Sequence, residues 1–222
     1  MPSSLANNEW VRSSVAENFF ASASLPSSTV RAPPGPLSRS VNTCRLARLV
    51  PTEPLLFIKA GSCTVPLEDG FSIPGDRGAV HYEAEIAVLI GKPLSRKPNA
   101  EEVLDAISGF APALDLTLRE LQDKLKAKAY PWEVAKSFDG ACVLAPFVPG
   151  DAVEDLADLG IRLSLNGELR QDGNSRDMLN PILPLIQHIC GHFSLQAGDV
   201  ILTGTPVGVG PLTAGDGLEL EM

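Results

Sequence analysis

The run Leu114-Asp115-Leu116-Thr117-Leu118-Arg119 alternates apolar and polar residues without a break. That period of two sets leucines on one face of an extended strand and Asp115, Thr117 and Arg119 on the other. A second segment, Val80-His81-Tyr82-Glu83-Ala84-Glu85-Ile86, continues into the apolar run Ala87-Val88-Leu89-Ile90 and places His81, Glu83 and Glu85 on one face. The rise of an extended chain puts those two carboxylates about 7 Å apart at Cα. A face of this kind is either exposed to solvent or lines a polar site. Carboxylates at i and i+2 inside an otherwise apolar strand repel each other unless a cation lies between them. Glu83, Glu85 and Asp115 together offer hard oxygen donors with no His or Cys cluster nearby, which suits Mg2+ or Mn2+ better than zinc.

The rest of the chain from Glu53 onward supplies short strands and a few helices. Leu55-Leu56-Phe57-Ile58 reads as a buried strand and Val200-Ile201-Leu202 as another. A helix is expected from about Ala100 to Ile107, capped by Asn99 and with Glu101 and Glu102 at the positive end of its dipole. Further helices are expected over Glu120–Ala129, stopped by Pro131, and over Ile182–Ile189. Asn166-Gly167 between two alternating runs marks a hairpin, because a type I′ turn needs positive φ at both central residues. Short strands outnumber helices, so the fold class is α+β and β-rich.

Composition divides the chain of 222 residues near residue 52. Residues 1–52 hold ten Ser, six Pro, five Arg, no Lys and two acids, a balance of +3 within a total of −9 that leaves −12 for residues 53–222. This Ser/Pro/Arg-rich segment is expected to be poorly ordered. It fits either an organelle transit peptide, which would make the protein mitochondrial, or a divergent N-terminus without function. The acidic balance and the lack of a basic block argue against nucleic acid or an anionic membrane as partner. No apolar run approaches the roughly 20 residues that span a bilayer. Four cysteines without a CxxC pair read as reduced thiols in a cytoplasmic protein.

Other motifs are weaker. His188 and His192 have the i, i+4 spacing of a zinc pair but lack the accompanying glutamate. The glycines of Thr203-Gly204-Thr205-Pro206-Val207-Gly208-Val209-Gly210 resemble a phosphate cradle without the Lys-Ser/Thr of a P-loop. No Gly-x-Ser-x-Gly elbow is present, which argues against a serine hydrolase.

Four segments in register carry a more specific signal: His81 to Gly91, Asp115 to Gln122, Pro131-Trp132-Glu133-Val134-Ala135-Lys136-Ser137-Phe138-Asp139, and Gly198 to Pro206. Together they resemble the fumarylacetoacetate hydrolase family over about residues 53–220, and within it the short acylpyruvase, oxaloacetate decarboxylase or tautomerase type. The resemblance implies a mixed β-roll/sandwich catalytic domain in a homodimer. It also implies magnesium or manganese held by Glu83, Glu85 and Asp115, with Gln122, Arg119 and Thr205 holding substrate. The implied substrates are acylpyruvate- or oxaloacetate-like 2-keto acids, cleaved by C–C hydrolysis or decarboxylated through a metal-stabilised enolate. Isomerisation or tautomerisation of 2-oxo diacids is the alternative. Lys136 is the implied catalytic cation, since an ammonium in a water-poor pocket stabilises an enolate. Lys59, following the first strand, also falls toward the site.

Two features depart from the family pattern. Family hydrolases carry an Asn-Tyr motif followed by a His and a Glu on a short lid, which activates water. Residues 1–52 contain no histidine. Hydrolysis needs a base for water whereas decarboxylation needs mainly an electron sink, so hydrolysis should suffer more. A catalytically impaired or non-catalytic member is the further alternative. The chain also ends in the strand-like Leu218-Glu219-Leu220-Glu221, where relatives continue, and a missing closing strand would expose an edge.

Overall fold

The computed structural model describes residues 53–222 and, in backbone, the strands Asn8–Val15 and Arg39–Cys44. The remainder of the segment expected to be poorly ordered, including the region where a family lid would lie, is outside the described residues. The expectations for 55–58, 100–107, 120–129, 161–170, 182–189 and 200–202 are each met within a few residues. The corresponding elements are Leu55–Ala60, Ala100–Ala106, Arg119–Ala127, the hairpin Gly160–Leu165/Glu168–Asn174, Ile182–Cys190 and Val200–Leu202.

Asn99 caps its helix in a reciprocal box with Glu102, each side chain accepting the other's backbone N–H. Asn166 and Gly167 have φ of 54° and 79°, the positive pair that the tight turn demands.

Among the described residues the strands form three sheets. The largest runs in the order Leu55–Ala60, Arg39–Cys44, Val200–Leu202, Ala84–Ile90, Ile107–Asp115, Cys142–Leu144 and Thr64–Pro66, with Val148–Pro149 pairing to Ile107–Asp115 as an eighth strand. Its centre is the antiparallel pair Ala84–Ile90 and Ile107–Asp115. Every residue of Ala84–Ile90 is buried, so its two faces are packed and the strand is close to continuously apolar apart from Glu85. A second sheet has the order Glu168–Asn174, Gly160–Leu165, Gly217–Glu221, Asn8–Val15 and Phe71–Pro74. A small third sheet joins Gly210–Leu212, Val80–Tyr82 and Thr117–Leu118. The architecture is the strand-rich α+β arrangement that the alternation implies, with the sheets open.

Three details differ from the sequence reading. The alternating run Leu114 to Arg119 is not one strand: Asp115 ends one strand, Thr117–Leu118 belongs to another sheet, and Arg119 opens a helix. Leu116 is the hinge, its N–H donating to the Ala141 carbonyl instead of to a ladder partner. Likewise Glu83 is not inside a strand but is the link between Val80–Tyr82 and Ala84–Ile90, and its carbonyl accepts from the Asp115 N–H. Both halves of this ribbon bend at the same level, from the large sheet into the small one, and the acids sit at the bend. Finally, Gly217–Glu221 is not an exposed edge: it lies between Gly160–Leu165, antiparallel, and Asn8–Val15, parallel.

Candidate metal centre

Glu83, Glu85 and Asp115 are buried, and one oxygen from each lies within 4.8 Å of the others. The bend between sheets brings them together: Glu83 at the link, Glu85 two residues into the central strand, and Asp115 at the end of the neighbouring strand. Like charges packed this closely in a low-dielectric interior need compensating cations.

The protein supplies three. Lys136 Nζ donates to Glu83 Oε2 at 2.8 Å and to Asp115 Oδ2 at 2.5 Å. Lys59 Nζ donates to Asp115 Oδ1 at 2.7 Å and to the Lys136 carbonyl. The Arg119 guanidinium donates to Glu83 Oε1 and, through its other terminal nitrogen, to Gln122 Oε1 at 2.9 Å. Lys59 and Lys136 are fully buried, which for a lysine requires carboxylate partners. Lys136 reaches the centre from the short helix Glu133–Lys136, an element too brief to announce itself by periodicity.

The electrostatics separate the three acids. Burial opposes ionisation of Glu83, but the charges of Lys136 and Arg119 outweigh it and hold the carboxyl below its ordinary range. Burial likewise opposes the Lys136 ammonium, and the Asp115 and Glu83 carboxylates overcome it and raise its pKa, so Lys136 remains a cation. Glu85 behaves oppositely: burial first, then the Asp115 and Glu83 charges, push its pKa well above the usual carboxylate range. Its Oε2 accepts from the Gly204 N–H at 2.7 Å, while Oε1 is buried with no hydrogen-bond partner among the described residues. An orphaned buried carboxylate oxygen facing two further carboxylates is the mark expected of a site built for a cation. The all-oxygen donor set fits Mg2+ or Mn2+.

Of the remaining expected site residues, Arg119 and Gln122 reach the same point, and Thr205 follows Gly204, which touches Glu85. Gln122 is fully buried and its Nε2 has no partner among the described residues, leaving two N–H groups for a bound molecule. Thr205 sits on the loop after Val200–Leu202, next to the Gly204 N–H that touches Glu85. A cavity of about 270 Å³ opens at Thr203–Val207, with Leu55, Ile161 and Met178 among its walls. Ile86 also lines it, as do Gly204, whose N–H touches Glu85, and Thr205. His81 lies beside this centre with a buried, unpartnered Nδ1; burial, then the Arg119 charge, lowers its pKa. His188, in the helix Ile182–Cys190, and His192, in the turn after it, pack ring to ring at 4.9 Å, and the one group among the described residues that could hold a metal ion is the carboxylate trio.

Gln171 was not singled out in the sequence. It is buried in a strand whose preceding residues are exposed, and it joins the central strand to the Thr205 loop. A polar residue buried alone in an exposed strand is visible as a signal only once burial is known.

Residues 38–222 match the family described as fumarylacetoacetate (FAA) hydrolase C-terminal. The chain is 49% identical over 170 residues to oxaloacetate tautomerase YcgM of Escherichia coli, covering 76% of this chain and 77% of that protein. It is 38% identical over 169 residues to bovine mitochondrial oxaloacetate tautomerase FAHD1, covering 76% of each. It is also 38% identical over 175 residues to the mitochondrial oxaloacetate decarboxylase of Dictyostelium discoideum, covering 77% of this chain and 78% of that one. Among solved structures, fumarylpyruvate hydrolase from Pseudomonas aeruginosa, in complex with Mn2+ and pyruvate, superposes with a TM-score of 0.75 at 25% identity, covering 92% of this chain and 99% of that chain. No helix among the described residues is long and apolar enough to cross a membrane.

Proposed function

The chain belongs to the fumarylacetoacetate hydrolase family, and from that premise we propose that it is a metal-dependent enzyme interconverting the enol and keto forms of oxaloacetate-like 2-keto acids. The observation that carries the proposal is the buried trio of Glu83, Glu85 and Asp115 with the unpartnered Glu85 oxygen. Those residues would hold Mg2+ or Mn2+, and the metal supplies a Lewis acid that polarises the substrate's oxygens. Residues 53–222 form the catalytic domain in this reading, and it acts as a homodimer on a small-molecule substrate.

The chain's own groups do the rest. Lys136, held as a cation, stabilises negative charge that develops on an enolate oxygen. Gln122 offers both N–H groups of its buried amide, and Arg119, tied to Gln122 and Glu83, keeps that amide oriented. Thr205 donates its hydroxyl proton to a substrate carboxylate. Burial of the trio and both lysines keeps water away and strengthens these interactions. Moving a proton between carbon and oxygen needs this enolate stabilisation but no activated water, which suits a chain whose residues 1–52 contain no histidine.

The test follows the ultraviolet absorbance of enol-oxaloacetate with Mn2+ or Mg2+ and again with EDTA. Metal-dependent acceleration of its decay supports the proposal; equal rates with metal and with EDTA remove it. Decarboxylation is the second reading, supported by the likeness to the Dictyostelium decarboxylase. It releases CO2 and leaves the enolate of pyruvate, which the same cations would stabilise, and pyruvate accumulating in step with oxaloacetate loss would select it. Acetylpyruvate cleavage, assayed in parallel, tests hydrolysis. A non-catalytic chain would bind Mn2+ and turn over none of the three.

A further inference from the structure

We propose that Gln171 is a positioning residue that fixes the Thr205 hydroxyl as a hydrogen-bond donor toward bound substrate. The inference rests on the reading of Thr205 as a substrate-binding group.

The orientation of the Gln171 amide is set by the backbone. Its Oε1 accepts from the Ala84 N–H at 2.9 Å, and only the oxygen end can do so. The nitrogen end must therefore point the other way, where Nε2 donates to Thr205 Oγ1 at 2.8 Å and to the Pro206 carbonyl at 3.0 Å. All the hydrogen bonds this amide makes thus have one direction, with no flipped alternative. A hydroxyl that accepts at its oxygen keeps its one proton for another acceptor. Ala84 lies between Glu83 and Glu85, so the same side chain references the Thr205 loop to the carboxylate strand.

The surrounding backbone is shaped to present Gln171. In the hairpin, Ser164 pairs with Leu169 but Leu163 pairs with Gln171, leaving Arg170 as an extra residue. This bulge turns Gln171 inward, so that it is 1% exposed while Glu168, Leu169, Arg170 and Asp172 are exposed. The Thr205 loop lies directly on the bulge. A Cβ on Gly208 would fall 2.0 Å from the Arg170 carbonyl oxygen, and a Cβ on Gly173 would fall 2.8 Å from Pro206 Cβ. Two close approaches and a bulge around one buried amide are more than a chance surface contact requires.

Gln171→Glu separates orientation from packing. A carboxylate of the same shape still accepts from Ala84, but at its other oxygen it takes the Thr205 proton, reversing the bond. The probe is oxalate, a planar dicarboxylate, titrated by calorimetry into the Mn2+-loaded protein, alongside Mn2+ alone and steady-state kinetics on enol-oxaloacetate. We expect Q171E to weaken oxalate binding and raise KM by about tenfold, the scale of one hydrogen bond to a charged group. Its kcat and Mn2+ affinity should stay within about threefold. Thr205→Val should weaken oxalate similarly, and Q171E in the T205V background should add nothing, because one residue acts through the other.

Additive losses in the double variant, or wild-type oxalate affinity in Q171E, would overturn the role of Gln171. Wild-type oxalate affinity in T205V would overturn the inference together with the role given to Thr205. These binding readouts stand even where wild-type protein turns over no oxaloacetate, a result that would remove the proposed function alone. If Q171E does not fold, Gln171→Met carries the same cycle: it removes the fixed donor and should again be silent in the T205V background.

Discussion

In the proposed function Lys136 is the residue on which the chemistry depends most directly. Its ammonium contacts two of the three acids without belonging to the oxygen donor set. Lys136→Met should therefore lower kcat by about 10²–10³, the usual cost of removing a preorganised charge stabiliser, while Mn2+ still binds. Loss of Mn2+ binding in K136M, measured by the paramagnetic resonance signal of the free ion, would assign the lysine to building the site instead. Cys142 permits a test of sign. Burial first, and only partly offset by the Lys59 charge, pushes its thiol from 9.0 up to about 12. The folded chain then keeps a proton that the unfolded chain loses. Stability from this group is complete below pH 9 and falls as pH rises toward 12. Lys136, also raised, adds the same sign at higher pH. Melting temperatures across pH 8 to 10.5 should fall less steeply in Cys142→Ala than in the wild type.

Elements with strong local chemistry were legible in the sequence. The cap at Asn99 and the Asn166-Gly167 turn each state their conformation within a few residues, and each appears where expected. The run Leu114 to Arg119 shows the limit of that reasoning. Alternation identifies the faces of a strand but does not say that the strand ends at Asp115, because the hinge is a hydrogen bond from Leu116 to Ala141, formed only in the folded chain. The bulge at Arg170 is likewise invisible to patterning, since its register is set by the partner strand. Gly208 has a φ of 104° and its absent side chain makes room for the Arg170 carbonyl. Gly208→Ala combines backbone strain with a steric overlap and should cost about 3 kcal/mol or more. Chemical denaturation checks this, and a change below about 1 kcal/mol would show that the loop is not seated on the bulge.

The molecule as a whole holds a cluster of three acids and three cations at the meeting of two sheets, so what binds there stabilises every element around it. A cation at one hundred times its Kd adds about 2.7 kcal/mol, or roughly 5–10 °C in melting temperature for a domain of this size. Mn2+ should produce such a rise in the wild type and none in Glu85→Gln; an equal rise in both would remove Glu85 from the ligand set.

By itself the sequence determined the β-rich class, most element positions and the identities of the acids, because alternation, caps and turns are short-range chemistry written in neighbouring residues. Even the family is carried by four local motifs in order. Only the tertiary structure decided that Glu83, Glu85 and Asp115 converge, that Lys59 joins Lys136 on Asp115, and that Gln171 reaches Thr205. Those contacts join residues 21 to 56 positions apart for the lysines and 34 for the glutamine. They exist because strands from different parts of the chain pair and bend at one level, and no local pattern encodes which strand a bend will meet.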